Sequence, residues 1–216
     1  MSEIPTLIDE RHVRYITEHT IAEDAFLKDL KREAAAAGIP SIWIAPAQAA
    51  FMQILLRLAR AREVVEVGTL AGYSAIAMAR ALPRGGKVRT IELEAKHADF
   101  AQRWIAKSDV ADRVEVLRGA GLEVLPGLAA GSADAAFLDA DKGNYKHYLA
   151  ECLRIVRPGG LIMADNAFAF GELFEDKPGD REVPAIRAFN EVMSRDPSLA
   201  SIIVPLGDGL WVGVRR

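Results

Sequence analysis

Two apolar runs in this chain stop abruptly on hard oxygen donors. Ala136-Phe137-Leu138 ends at Asp139-Ala140-Asp141-Lys142, and Leu161-Ile162-Met163-Ala164 ends at Asp165-Asn166. If the runs are neighbouring parallel strands, Asp139, Asp165 and Asn166 converge on one rim of a sheet, with Lys142 beside them. Two carboxylates and an amide oxygen suit Mg²⁺, Mn²⁺ or Ca²⁺. A lysine next to such an ion is a candidate proton acceptor. The combination predicts metal-assisted chemistry on an oxygen atom. Singly, each residue has a plainer reading: Asp139 as a helix N-cap, Asp165-Asn166 as an Asx-type turn, Lys142 as an exposed loop lysine.

A second cluster lies upstream. The run Glu66-Val67-Gly68-Thr69-Leu70-Ala71-Gly72-Tyr73-Ser74 puts glycines where a strand turns into a helix, so a ligand can lie close to the backbone at a helix N-terminus. The spacing matches neither a P-loop nor the dinucleotide G-x-G-x-x-G. A carboxylate at Glu66 would repel a pyrophosphate and pair with an ammonium group. Glu92, 24 residues after Gly68 and followed by Leu93, closes the next strand, where an acid can accept hydrogen bonds from ribose hydroxyls. It reads equally as a cap for the helix that follows. Gly119-Ala120-Gly121 ends a third strand with room for a flat base, or makes a plain turn. The predicted ligand has an amine and a ribose and no phosphate. S-adenosylmethionine meets that description better than NAD or ATP.

The elements that must position these residues alternate. Strands are expected at 63–68, 87–93, 113–118, 133–139 and 160–165. Helices are expected at 73–82, 95–107, 122–129 and 144–156. This βαβ order predicts a parallel sheet with helices on both faces and every strand's carboxyl end on one rim. A helix over 183–194 precedes strands at 201–206 and 210–215. The Asp208-Gly209 turn between them makes the last strand antiparallel. Residues 12–37 and 47–60 read as two helices outside the alternation, with Pro46 in the first turn of the second.

With 216 residues, half of them hydrophobic, one domain with one substantial core is expected. The net charge of -3 and the mixed acids and bases give no basic stripe, so no nucleic-acid partner is expected. The single cysteine, Cys152, sits in an apolar helical pattern as a core side chain. No apolar run approaches a membrane span, and Met1-Ser2-Glu3-Ile4-Pro5 carries no signal-peptide pattern. A cytoplasmic protein with no membrane partner is the default. His12, His19, His97 and His147 share no metal-ligand spacing and read as surface or packing residues. Trp43 is expected to line the site, and Tyr145 to pack.

Residues 64–74, Ile91-Glu92, residues 137–145 and Ala164-Asp165-Asn166 resemble the motifs of metal-dependent catechol and caffeoyl-CoA O-methyltransferases. The resemblance runs from about Ala45 to the chain end and takes in Ile186-Arg187-Ala188-Phe189-Asn190 and Pro205-Leu206-Gly207-Asp208-Gly209. Its specific part is Asp139-Ala140-Asp141-Lys142-Gly143-Asn144-Tyr145 with Asp165-Asn166. It implies a Rossmann-like class I α/β fold with a mostly parallel seven-stranded sheet and an antiparallel last strand. It implies one methyltransferase domain over 1–216, with N-terminal helices to about 60 and the α/β core from 61. S-adenosylmethionine would be the co-substrate. Glu66 and Ser74 would hold its methionine moiety and Glu92 its ribose, with Gly68, Leu70, Gly72, Leu93, Ala120 and Asp139 around it. Asp139, Asp165 and Asn166 would bind Mg²⁺ or a similar ion, and Lys142 would be the general base.

The acceptor implied is a hydroxyl on a small catechol-like or caffeoyl-like aromatic, and the assembly implied is a homodimer. One departure stands out. Many relatives carry an aliphatic-Leu-Trp-x-Gly stretch after the Asp-Asn pair, where this chain has Ala167-Phe168-Ala169-Phe170-Gly171. Two rival readings share the layout: a non-catalytic binding module on the same fold, and an NAD-dependent oxidoreductase. The intact Asp139, Lys142, Asp165 and Asn166 oppose the first, and the acid at Glu66 opposes the second.

Overall fold

Apolar runs too short for helices and rich in β-branched residues form the strands, and amphipathic stretches between them cover both faces. The structure, a computed structural model, describes residues 6–20 and 22–216. The Met1–Pro5 segment, for which no signal peptide is expected, lies outside the described residues. Three helices come first: α1 (Glu10–His19), α2 (Ala25–Ala36) and α3 (Pro46–Leu58). The alternation follows as β1 (Glu63–Val67), α4 (Tyr73–Ala81), β2 (Lys87–Glu92), α5 (Ala95–Ile105), β3 (Val114–Arg118) and α6 (Gly121–Val124). It continues through β4 (Ala133–Leu138), α7 (Tyr145–Ile155), β5 (Val156–Ala164), α8 (Val183–Arg195), β6 (Leu199–Val204) and β7 (Leu210–Arg215).

The seven strands lie in the order β3-β2-β1-β4-β5-β7-β6. Strands β1 to β5 pair in parallel, and β7 runs antiparallel to both β5 and β6. The order reverses between β1 and β4, which opens a crevice at their carboxyl ends. The ladder continues one residue beyond each strand. Gly119 N–H donates to Glu92 O (2.9 Å), Gly68 to Ile91 O (3.0 Å), Asp139 to Val67 O (2.9 Å) and Asp165 to Leu138 O (3.0 Å). Gly68, Gly119, Asp139 and Asp165 therefore stand in one row along the rim, each fixed by a backbone bond to the neighbouring strand.

Burial on both faces explains the near-continuous apolar strands. On one side Leu30, Met52, Leu56, Ile76 and Phe137 pack together. On the other, Val65, Leu138, Tyr145, Leu149 and Phe189 do so, and Cys152 lies among them with its thiol pushed up to about 12 by burial.

Four local expectations need correction. The helix expected over 12–37 is two helices, because the Asp24 side chain accepts from Leu27 N–H (2.9 Å) and starts α2 anew. The helix expected over 122–129 stops at Val124 and tightens into a 3-10 turn over Leu125–Gly127 at Pro126. Strand β5 begins at Val156 rather than at 160, and its register against β4 shifts between Ala133 and Ala135. Pro158 lies within that irregular stretch and has no N–H for the ladder. Strand β6 is displaced by two residues from the expected 201–206. Among the described residues no helix is long and apolar enough to cross a membrane.

Candidate active site

The crevice between β1 and β4 deepens into a cavity of about 380 Å³, within the range of small-molecule sites. Gly68, Leu70, Ser74, Glu92, Leu93, Ala120 and Asp139 line it, as does Trp43. Gly68 has a steric reason to be glycine: it sits at φ +102, and a Cβ there would overlap the Asp139 carbonyl. The glycine turn and the first acid of the rim thus touch through their backbones.

Two residues expected at the ligand do not line this cavity. Gly72 is the N-cap of α4 and does not reach the cavity wall. Glu66 lies behind the wall, fully buried, with neither carboxylate oxygen hydrogen-bonded among the described residues. Burial raises its pKa to about 8, opposed in part by the nearby Ser74 and Thr90 hydroxyls. An uncompensated buried acid beneath Ser74 is suited to answer a positive charge brought into the cavity.

Of the two readings the sequence left open for Glu92, the hydrogen bonds show the capping one. Its Oε2 accepts from Thr69 N–H (3.1 Å) and Leu70 N–H (2.8 Å), which braces the glycine turn, while Oε1 accepts from Glu94 N–H (2.9 Å) at the start of α5. A carboxylate has about four acceptor positions, so further donors can still be met at the wall. His97, expected as a surface or packing residue, stands on the cavity wall with Nδ1 3.7 Å from Glu92 Oε1. Asp141 lies on the same wall and accepts from Tyr148 Oη (2.6 Å) and Asn144 Nδ2 (2.5 Å).

At the other end of the row, Lys142 is only 5% exposed. Its Nζ donates to Asp139 Oδ1 (3.1 Å) and to Tyr145 Oη (2.6 Å). The Tyr145 hydroxyl donates in turn to Leu138 O (3.1 Å), so toward Lys142 it is the acceptor. Tyr145 packs as expected, edge-on to Phe189, and it also orients the lysine, which sequence reasoning missed. The turn carrying Lys142 is anchored by its backbone N–H to Glu182 Oε1 (3.1 Å), at the start of α8.

Asp165 is 8% exposed, and burial, then the Asp139 charge, hold its carboxyl above the ordinary range. Its Oδ1 accepts from Gln48 Nε2 (2.7 Å). Asn166 takes the left-handed conformation at φ +65, which asparagine tolerates better than most residues. Its Nδ2 donates to Asp208 Oδ2 (3.1 Å), leaving Oδ1 as its free acceptor. Phe170 N–H shares Asp208 Oδ2 (2.8 Å), and Phe170 and Ala169 are also at positive φ. Strained residues gathered this densely persist where the surroundings over-determine them. Among the described residues no three His, Cys, Asp or Glu side chains are grouped so as to hold a metal ion.

Sheet order, rim and cavity together define a class I methyltransferase-type α/β enzyme. The chain belongs to the O-methyltransferase family, whose model matches residues 17–216. It is 37% identical over 205 residues to a catechol O-methyltransferase of Niastella koreensis, covering 94% of this chain and 90% of that one. A catechol O-methyltransferase of Mycobacterium tuberculosis is 34% identical, covering 92% of this chain and 90% of its own length. Among solved structures, the O-methyltransferase from Bacillus cereus in complex with SAH superposes with a TM-score of 0.85 at 34% identity, covering 94% of this chain and 96% of that one.

Proposed function

We propose that this chain transfers the methyl group of S-adenosylmethionine to a hydroxyl of a small catechol-like aromatic, assisted by a divalent cation at Asp139, Asp165 and Asn166. The observation that carries this reading is the row along the rim. Lys142 Nζ lies 3.1 Å from Asp139, and a second carboxylate, the buried Asp165, stands on the adjacent strand beyond it. The relatives named catechol O-methyltransferase, and the Bacillus cereus structure in complex with SAH, support the donor and the acceptor class.

The donor set fits a hard cation. Burial, with the Asp139 charge added to it, holds Asp165 above its ordinary range, and Asn166 keeps an oxygen free. A divalent cation bound there would supply positive charge beside the acceptor oxygens and ease ionisation of a phenol that otherwise titrates near pH ~10.

The chain's own residues do the rest. The cavity lined by Gly68, Glu92 and Ala120 takes the adenosine part of the donor, and Ser74, backed by Glu66, faces its ammonium group. Lys142 commits two N–H groups to Asp139 and Tyr145, so a neutral amine there keeps its lone pair for the acceptor's proton. The ionised oxygen then attacks the sulfonium methyl. An O–CH₃ bond forms, the S–CH₃ bond breaks, sulfur keeps the electron pair and Lys142 Nζ holds the proton. Alignment of oxygen, carbon and sulfur supplies much of the remaining acceleration.

Labelled donor incubated with catechols, single phenols and already methylated catechols tests this reading. Ether formation with vicinal diols and little with single phenols is expected. Equal rates on all three would contradict the chelated acceptor.

A further inference from the structure

Gln48 has no part in the chemistry above, yet it is 1% exposed and lies on a helix outside the βα alternation. Pro46 occupies the first turn of α3, which makes Gln48 its third residue. A glutamine there commonly reaches back to its own N-cap. Here the N-cap is Ala45, with no side chain to complete such a box. The Gln48 amide crosses instead to Asp165, 117 positions away, with Nε2 2.7 Å from Oδ1.

The other end of that amide is held as well. A Cβ at Gly207, which sits at φ +60, would overlap Gln48 Oε1, so the amide oxygen lies against the bare backbone of the β6–β7 turn. The next residue in that turn, Asp208, holds the amide of Asn166. One short turn therefore braces Gln48 on one side and Asn166 on the other.

We propose that Gln48 is a positioning residue for the cation site: its amide fixes the Asp165 carboxylate so that Oδ2 faces the position shared with Asp139 and Asn166. This inference rests on the metal-assisted reading above. An uncharged donor is suited to the task, because it satisfies one oxygen without neutralising the carboxylate. A lysine would compete with the cation for the charge, and an apolar residue would leave the carboxylate free to turn. Partners that orient a ligating carboxylate typically contribute tenfold to a hundredfold in metal affinity.

The test is direct titration of Mn²⁺ into the full chain, reading free Mn²⁺ by its paramagnetic resonance signal. The comparison covers wild type, Gln48→Met, Gln48→Asn and Asp165→Asn. Methionine keeps the length and volume and removes the donor, whereas asparagine keeps the amide and withdraws it by about 1.5 Å. Weakening of Mn²⁺ binding by roughly tenfold or more in the methionine variant is expected, with S-adenosylhomocysteine affinity within about twofold of wild type. Wild-type Mn²⁺ affinity in a folded methionine or asparagine variant would overturn the inference. Equal loss of Mn²⁺ and S-adenosylhomocysteine binding would overturn it too, since it would mark a general packing role. Should Asp165→Asn bind Mn²⁺ as wild type does, the metal-assisted reading itself fails, and that arm separates the two failures.

Discussion

The Tyr145 hydroxyl stands 2.6 Å from Lys142 Nζ and donates its own proton to the Leu138 carbonyl, 3.1 Å away. With its proton engaged by the end of β4, the phenol is an acceptor toward the lysine and cannot turn away. The lysine stem is thereby held over the tyrosine ring, with Nζ 4.7 Å from the ring centroid.

Removing that acceptor should loosen the lysine without emptying the core. Tyr145→Phe is expected to lower kcat roughly tenfold, about 1.4 kcal/mol in the barrier, while donor affinity stays unchanged. Lys142→Met, which removes the proton acceptor itself, should cost roughly a hundredfold or more in kcat. Steady-state kinetics beside calorimetric titration with S-adenosylhomocysteine checks both. A Tyr145→Phe enzyme with wild-type kcat would return that residue to a packing role.

Glu66 predicts a proton linkage. Burial raises its pKa to about 8 from an ordinary 4.5, so between these values the folded protein keeps a proton that the unfolded chain has released. Its contribution to stability is fully present below pH 4.5 and is lost as pH rises through 8. A ligand ammonium favours the ionised carboxylate, so binding at pH 7 should release about one proton from the protein. Calorimetry of S-adenosylhomocysteine in buffers of different ionisation enthalpy measures that proton. Release should disappear in Glu66→Gln, and its absence in wild type would contradict the assignment.

The segment after Asn166, beside the proposed cation site, is tied down through Arg187 and Glu172. Arg187 donates to the carbonyls of Leu173 (2.8 Å), Glu172 (3.0 Å) and Glu175 (2.6 Å), and Glu172 accepts from Gly179 and Asp180 N–H. Arg187→Ala should release these carbonyls and raise acceptor KM roughly threefold to tenfold, with donor affinity little changed. Equal weakening of donor and acceptor would contradict an acceptor-side role for this segment.

What could be read in advance was local. An apolar run halting on Asp139 or Asp165-Asn166 is a pattern within a few residues, and it located the rim. The Asp208-Gly209 turn announced a hairpin, but pairing of β6 with β7 does not say which of them meets β5. That choice belongs to the sheet, and β7 took it. Gln48 escaped because its partner lies 117 positions away, although a lone amide among alanines and Met52 on a buried helix face was a visible signal. The role of Tyr145 escaped because it depends on where the Leu138 carbonyl points. Glu66 was expected at the ligand, yet strand alternation places it behind Ser74.

Methyl transfer to catechol by chelator-treated protein, before and after Mg²⁺ is restored, is the most direct measurement of the central claim. Metal-assisted transfer at Asp139, Asp165 and Asn166 predicts that EDTA abolishes turnover, that Mg²⁺ restores it, and that Asp165→Ala stays inactive with Mg²⁺ in excess. Undiminished turnover in EDTA would contradict it.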